Sequence, residues 1–318
     1  MRVLKGSAAA AGTLTRPVVT VGNFDGIHLG HQAILRTVVA RARVVGGEAV
    51  VYTFDPHPRK VLRPDSAPGL LTTLDQKIEL LEQHGVEAVI VEPFTLDFAR
   101  TDAETFIREC LHRRIRPVEV YVGYDFHFGR DRSGSMRLLT ELGPRLGFAV
   151  TIIPEVTVDE GDVNSTRIRR LLSDGLPELA ARMLGRPYAV RGTIVRGDER
   201  GRTLGFPTAN LDPESEVLPA GGVYAGTLRL LDAGDPPAET ILPVVTNVGR
   251  RPTFARGDAV LAEAHVLDWS GDLYGRRVEL SFPHWLRAER KFPGVDALRT
   301  QIAADANEAR RRLAEIDG

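Results

Sequence analysis

The sequence predicts an α/β protein in two parts: an N-terminal doubly wound parallel sheet, then an antiparallel β-barrel with a C-terminal helix. Three observations carry this. The length of 318 residues suits two domains of ~100–200 residues each. Through the first half, short apolar strand patterns alternate with amphipathic helix patterns. After Gly185-Arg186-Pro187 they give way to short apolar runs punctuated by glycine and proline, the texture of an antiparallel barrel. The boundary therefore falls near Arg186, giving domains 1–186 and 187–318.

The elements follow in order. Val18 to Gly22 is a short apolar run closed by glycine, which suits a buried strand. From His31 to Val45, residues Ile34, Leu35, Val38, Val39, Ala42 and Val45 share one helical face, with Arg36, Arg41 and Arg43 largely off it. Ala49 to Phe54 reads as a strand, Gln76 to His84 as a helix stopped by Gly85, and Val86 to Val91 as a strand. Thr101-Asp102-Ala103-Glu104 has capping-box spacing and opens a helix burying Phe106, Ile107, Cys110 and Leu111. Val118 to Gly123 and Phe148 to Ile153 complete the strands, and Pro177 to Leu184 is a short helix. In the second part, strands are expected at Tyr188 to Val195, Val223 to Leu230, Ile241 to Val248, Val260 to Trp269 and Arg277 to Phe282. Val295, Leu298, Ile302, Ala309, Leu313 and Ile316 lie near helical spacing, so a last helix packs on the barrel.

Composition narrows the function classes. The chain is 43% hydrophobic and 26% charged, as a folded globular protein is. Its 41 basic and 42 acidic residues leave a net charge of −1, with no sign of a bulk nucleic-acid or anionic-membrane binder. Four lysines stand against 37 arginines. Phosphate chemistry would favour arginine, but codon bias accounts for the count more simply. A single cysteine, Cys110, excludes an intrachain disulfide and a cysteine-rich zinc site. No stretch is long and apolar enough to span a bilayer, and the first 16 residues are too weakly apolar for a signal peptide, so the cytoplasm is the expected location.

Two segments carry chemistry. Gly22-Asn23-Phe24-Asp25-Gly26-Ile27-His28-Leu29-Gly30-His31 joins the first strand to the first long helix. Its glycines let backbone approach a ligand, and the helix start offers unpaired amides to an anion. His28 and His31, three apart, reach the same side and can stabilise a triphosphate as its α–β bond breaks. A shared zinc ion is the alternative; the missing further ligands and HExxH pattern weigh against it. The second segment, from Gly197 to Asn210, is a glycine-punctuated loop that is not a Walker A loop. If it is extended, Thr208 and Asn210 share a side and offer oxygens to a nucleotide and Mg²⁺, although a surface hairpin would explain the loop alone.

The first segment resembles the HxGH signature of nucleotidyltransferases related to class I aminoacyl-tRNA synthetases. Three more segments match one branch in order: Thr53-Phe54-Asp55-Pro56-His57-Pro58, Val122-Gly123-Tyr124-Asp125-Phe126-His127-Phe128-Gly129, and Asn164-Ser165-Thr166-Arg167-Ile168-Arg169. That branch is the bacterial bifunctional riboflavin kinase/FMN adenylyltransferase (FAD synthetase). Gly205-Phe206-Pro207-Thr208-Ala209-Asn210, the run Asn247 to Phe254, Glu263 to Trp269 and Leu286 to Phe292 resemble its riboflavin kinase module.

The resemblance implies phosphorylation of riboflavin to FMN and adenylyl transfer to give FAD, one ATP at each step, with Mg²⁺. It implies Asn23, Phe24, Gly26, His28, His31, Ser165, Thr166 and Arg169 as ATP-binding in the first module, with the two histidines catalytic. Gly205, Thr208 and Asn210 would bind ATP in the second, Thr208 and Asn210 also the metal. Asp125, Phe54, Phe126 and Phe128 are flavin-site candidates, the aromatic residues having core packing as their alternative. Glu263 would be the general base of the kinase; a carboxylate on the solvent face of its strand is the plainer reading. The expected partners are small-molecule substrates, not nucleic acid or membrane, with room for a weak homo-oligomer. One active module alone, or a flavin-binding regulator, are the competing readings.

Overall fold

The computed structural model describes residues 1–159, 161–196, 206, 208–253 and 257–315, with the backbone alone across 250–253 and 257–261. The chain divides into two compact units, one of residues 1–69 and 74–164, the other of 70–73 and 165–318. This division comes earlier than the change of sequence texture near Arg186.

The first unit holds β1 (Arg2–Lys5), α1 (Gly6–Ala10), β2 (Val18–Val21), α2 (Leu29–Val45), β3 (Ala49–Asp55), α3 (Pro58–Leu62), α4 (Leu74–Gln83) and β4 (Ala88–Pro93). It continues with α5 (Leu96–Ala99), α6 (Ala103–Thr105), a π-wound stretch Phe106–Ile115, β5 (Glu119–Gly123), α7 (Met136–Arg145), β6 (Ala149–Ile153) and a small hairpin, β7 (Thr157–Val158) with β8 (Gly161–Asp162). β1 to β6 form a parallel sheet in the order β1-β4-β3-β2-β5-β6. All four residues of β2 are buried. Val19 and Val21 join one cluster with Tyr52, Ile107 and Leu111; Val18 joins another with Val38 and Ala49, so both faces are covered. Strand order reverses at β2, which pairs with β3 on one side and β5 on the other. In an open α/β sheet that switch point, at the carboxyl ends of the strands, is where a ligand is held.

Two features depart from expectation. β1 and α1 lie in the segment read only as too weak for a signal; Ser7 N–H donates to the buried Glu92 carboxylate at 2.7 Å, which also accepts from Tyr52 at 2.6 Å. The capping residue before Ala103 is Asp102, not Thr101: its carboxylate accepts from Thr105 N–H at 2.9 Å.

The second unit holds α8 (Ser165–Ser173), α9 (Pro177–Leu184), β9 (Ala189–Val195), β10 (Thr208–Pro213), β11 (Gly222–Leu230), β12 (Ile241–Thr253), β13 (Gly257–Val266), β14 (Arg277–Ser281), β15 (His284–Arg287) and α10 (Val295–Ala314). Strands run β12-β13-β10-β9-β14-β11, and β11 pairs back with β12, closing a six-stranded antiparallel barrel to which β15 adds on β11. Closure removes the open edges such a sheet would otherwise present. α8 and α9 belong to this unit because Ala220 N–H donates to Leu172 O and Trp285 N–H to Glu178, at 2.9 and 2.8 Å. α10 covers Val223, Ala225 and Val245 with Ala306, Ala309 and Leu313. Its buried Asp305 takes the Arg287 guanidinium at 2.8 Å. Val295, expected on the packing face, is exposed, and Ile316 lies outside the described residues.

Candidate active sites

The loop between β2 and α2 leaves the sheet at its switch point. Phe24, Gly26 and Ile27 all have positive φ (50°, 85° and 42°), a conformation costing about 1–3 kcal/mol for each non-glycine residue. Burial offsets that cost: the Phe24 and Ile27 side chains are 1% and 0% exposed among Leu35, Leu81 and Val89, contributing about 1.5–3 kcal/mol apiece. Polar contacts then pin the backbone. Asn23 O accepts from Lys77 Nζ at 2.8 Å and Thr53 Oγ1 at 3.2 Å, and Ile27 O accepts from Gln32 Nε2 at 2.9 Å. Phe24 thus serves as an anchor, its side chain in the core rather than facing out of the loop.

The loop delivers the two histidines together. His28 caps α2, its Nδ1 accepting from His31 N–H at 3.4 Å, so a neutral His28 carries its proton on Nε2. The rings stack with centroids 3.7 Å apart, and Phe24 lies 4.9 Å from His31. Burial, then the neighbouring His28 and Lys77, hold His31 well below its ordinary value of 6.5. Its Nδ1 is enclosed without a hydrogen-bond partner. Gly30 lies close to the pair: a Cβ there would sit 3.1 Å from His28 Nδ1, tight enough to press on the ring. Among the described residues no group of three or more His, Cys, Asp and Glu side chains gathers as a metal site.

Asp125 is exposed just past β5, the neighbour of β2 across the switch point. Phe126 and Phe128 stack at 5.3 Å, and Phe128 meets Phe106 at 5.5 Å. Phe54 contacts Tyr52, Phe94 and Phe98. Phe128 belongs to the core, while Phe54 and Phe126 are partly buried against that same core cluster and form an aromatic wall. Ser165, Thr166 and Arg169 open α8 in the second unit, which starts at Ser165 rather than near Arg167.

In the barrel, β10 brings the second set together. Asn210 pairs with Glu263 and Thr208 with His265 across β10 and β13, while Asn247 of β12 pairs with Glu263 from the other side. Directly paired residues project to the same face, so Asn210, Glu263 and Asn247 form a row and Thr208 lies beside it. Ala262, Ala264 and Val266 fill the barrel, and Glu263 and His265 lie half-buried on the other face. The carboxylate is therefore on the outer face, as the plainer reading had it, but flanked by polar partners rather than simply solvated. Asn247 Nδ2 donates to Glu289 Oε1 at 3.3 Å, and Phe206 meets the His265 ring edge-on at 5.3 Å. In the sequence Asn247 and Glu289 stand only within longer motifs; strand register singles out Asn247, and its hydrogen bond singles out Glu289. Gly205 lies outside the described residues. The side-chain oxygens of Thr208 and Asn210 are hard donors, which fits Mg²⁺ shared with nucleotide phosphates, with the Glu263 carboxylate next to them in the row.

Comparison with known proteins covers both units. The FAD synthetase family model matches residues 11–167 and the riboflavin kinase family model residues 184–313. The chain is 39% identical over 293 residues to the bifunctional riboflavin kinase/FMN adenylyltransferase of Escherichia coli K12, covering 92% of this chain and 91% of that one. It is 34% identical over 306 residues to that of Bacillus subtilis 168, covering 95% and 94%. A crystal structure described as a macrolide-efflux protein from Streptococcus pneumoniae superimposes with a TM-score of 0.86 at 30% identity, covering 98% of this chain and 99% of that one. Among the described residues no helix is long and apolar enough to cross a membrane. With both family models matched in order and such relatives along nearly its whole length, the chain belongs to the family of bifunctional riboflavin kinase/FMN adenylyltransferases.

Proposed function

We propose that the barrel unit phosphorylates riboflavin to FMN and that the β2–α2 loop of the first unit serves adenylyl transfer from ATP to FMN. The observation that carries the reading is the row Asn210–Glu263–Asn247 set by strand register, with the stacked His28–His31 pair as its counterpart in the other unit. In the kinase step Glu263 takes the proton of the ribityl 5′-hydroxyl as that oxygen attacks the γ-phosphorus and ADP leaves. Thr208 and Asn210 hold Mg²⁺ and phosphate oxygens; the ion supplies charge neutralisation along the phosphates. In the second step an FMN phosphate oxygen attacks the α-phosphorus of ATP, the α–β bond breaks and pyrophosphate leaves. His28 and His31 bind and stabilise the triphosphate, and little else than positioning and charge stabilisation is required. Phe54 and Phe126 offer the flavin a surface beside Asp125. Ser165, Thr166 and Arg169 are phosphate contacts by resemblance. The enzyme works in the cytoplasm on small-molecule substrates.

The test is to follow riboflavin, FMN and FAD in time with ATP and Mg²⁺. Glu263→Gln is expected to lower FMN formation by ~10²–10⁴-fold and leave FAD formation from supplied FMN intact. His31→Ala is expected to lower FAD formation by ~10²-fold or more and let FMN accumulate. A His31→Ala protein making FAD at the native rate would remove the histidine pair from the mechanism.

A further inference from the structure

Lys77 is one of only four lysines in the chain, and the family reading gives it no role. It lies on α4, where an apolar residue would pack without penalty, yet it is 6% exposed. Removing an ammonium from water is costly unless its partners compensate. Its Nζ donates at 2.8 Å to Asn23 O, the carbonyl that precedes the left-handed stretch of the β2–α2 loop. The charged and titratable groups facing it are Asp25 of the same loop, Asp55 at the end of β3 and His31 of α2, which in turn faces His28. The two carboxylates favour the ammonium against burial.

We propose that Lys77 is a positioning residue for adenylyl transfer: through the Asn23 carbonyl it holds the loop Asn23–His28 in the form that presents His28 and His31. It touches no substrate in this role. Its charge has a second consequence: after burial and the neighbouring His28, it adds to what disfavours a proton on the stacked His31 ring. The proposal rests on the reading that the two histidines serve adenylyl transfer.

The experiment uses the full chain, with Lys77→Met, which removes both donor and charge, and Lys77→Gln, which keeps a donor. FAD formation from FMN is measured beside riboflavin phosphorylation in the same samples, and the His31 ring is titrated by NMR without ligands. Lys77→Met is expected to lower FAD formation ~10–100-fold, the loss of one charge-assisted hydrogen bond, with phosphorylation unchanged. Lys77→Gln is expected to recover part of it, and His31 is expected to titrate higher in both variants. Should Lys77→Met not fold, Lys77→Gln with the His31 titration decides alone. Native FAD formation in the variants, or a loss matched by loss of folded protein with His31 unmoved, overturns the proposal. A His31→Ala control separates the two readings: if it retains FAD formation, the site assignment fails, while the ring titration still reports whether Lys77 acts on His31.

Discussion

At His31 three effects act in one direction: burial, the adjacent His28 ring and the Lys77 ammonium all disfavour the charged imidazole. Its titration in the folded chain therefore lies below 6.5, the ordinary value. Below that value the unfolded chain binds more protons than the folded one, so stability falls as the pH drops through this window and is unaffected above it. FAD formation from FMN is expected to be flat between about pH 7 and 8 and to fall on the acid side with a midpoint below 6.5. A pH–rate profile checks this, and a midpoint at or above 6.5 would contradict it. The residue scale also settles part of the arginine excess. Arg191, 4% exposed, and Arg229 both grip Glu279 at 2.8 Å, and Arg287 grips Asp305. Arg310 to Arg312 form exposed ion pairs with Asp268, Glu308 and Glu315, each worth at most ~1 kcal/mol. These forks serve packing and surface pairing, whereas Arg169 lies on α8 as the phosphate candidate that the motif resemblance names.

At the scale of the element, α2 is built to carry its own cap. Gly30 in its first turn costs helix propensity of about 1 kcal/mol relative to alanine. The reason is the His28 ring, which a Cβ would approach to 3.1 Å and which is itself stacked with His31, so a shift of a few tenths of an ångström there disturbs the pair. Gly30→Ala is therefore expected to leave thermal stability unchanged or raised while lowering FAD formation several-fold, measured by melting temperature and by initial rate. A parallel fall in both would mean that the glycine serves packing alone. β10 is the element whose recognition matters most in the barrel. Its short mixed sequence Thr208–Pro213 lacks a clean apolar alternation, so the pattern by itself reads as the end of a glycine-punctuated loop. Its place between β9 and β13 comes from pairing with residues far away in the chain.

At the scale of the molecule, the histidine pair and the Glu263 row lie in different compact units. Each activity should then be separable. His31→Ala and Glu263→Gln proteins are each expected to fail to convert riboflavin to FAD, and an equimolar mixture is expected to do so through FMN released into solution. A mixture that accumulates FMN without FAD would show that FMN must stay with the chain that made it. The division of the chain is itself a tertiary fact: α8 and α9 read as a continuation of the α/β half, yet their backbone and carboxylate contacts are with Ala220 and Trp285 of the barrel unit.

Strand and helix periods are written in neighbouring positions, so the fold class is legible in the sequence, while both modules and the candidates His28, His31, Thr208, Asn210 and Glu263 come from short motifs that resemble a known family. Asn247 is singled out only by strand register, Glu289 only by its hydrogen bond to Asn247, and Lys77 only by its burial and its contact with the Asn23 carbonyl. β1 escaped notice because a four-residue edge strand of mixed polarity has no period to read. Which carboxylate faces which amide, and which cation lies under which loop, depends on contacts between residues distant in sequence. Those contacts exist only once the parallel sheet has assembled and the barrel has closed.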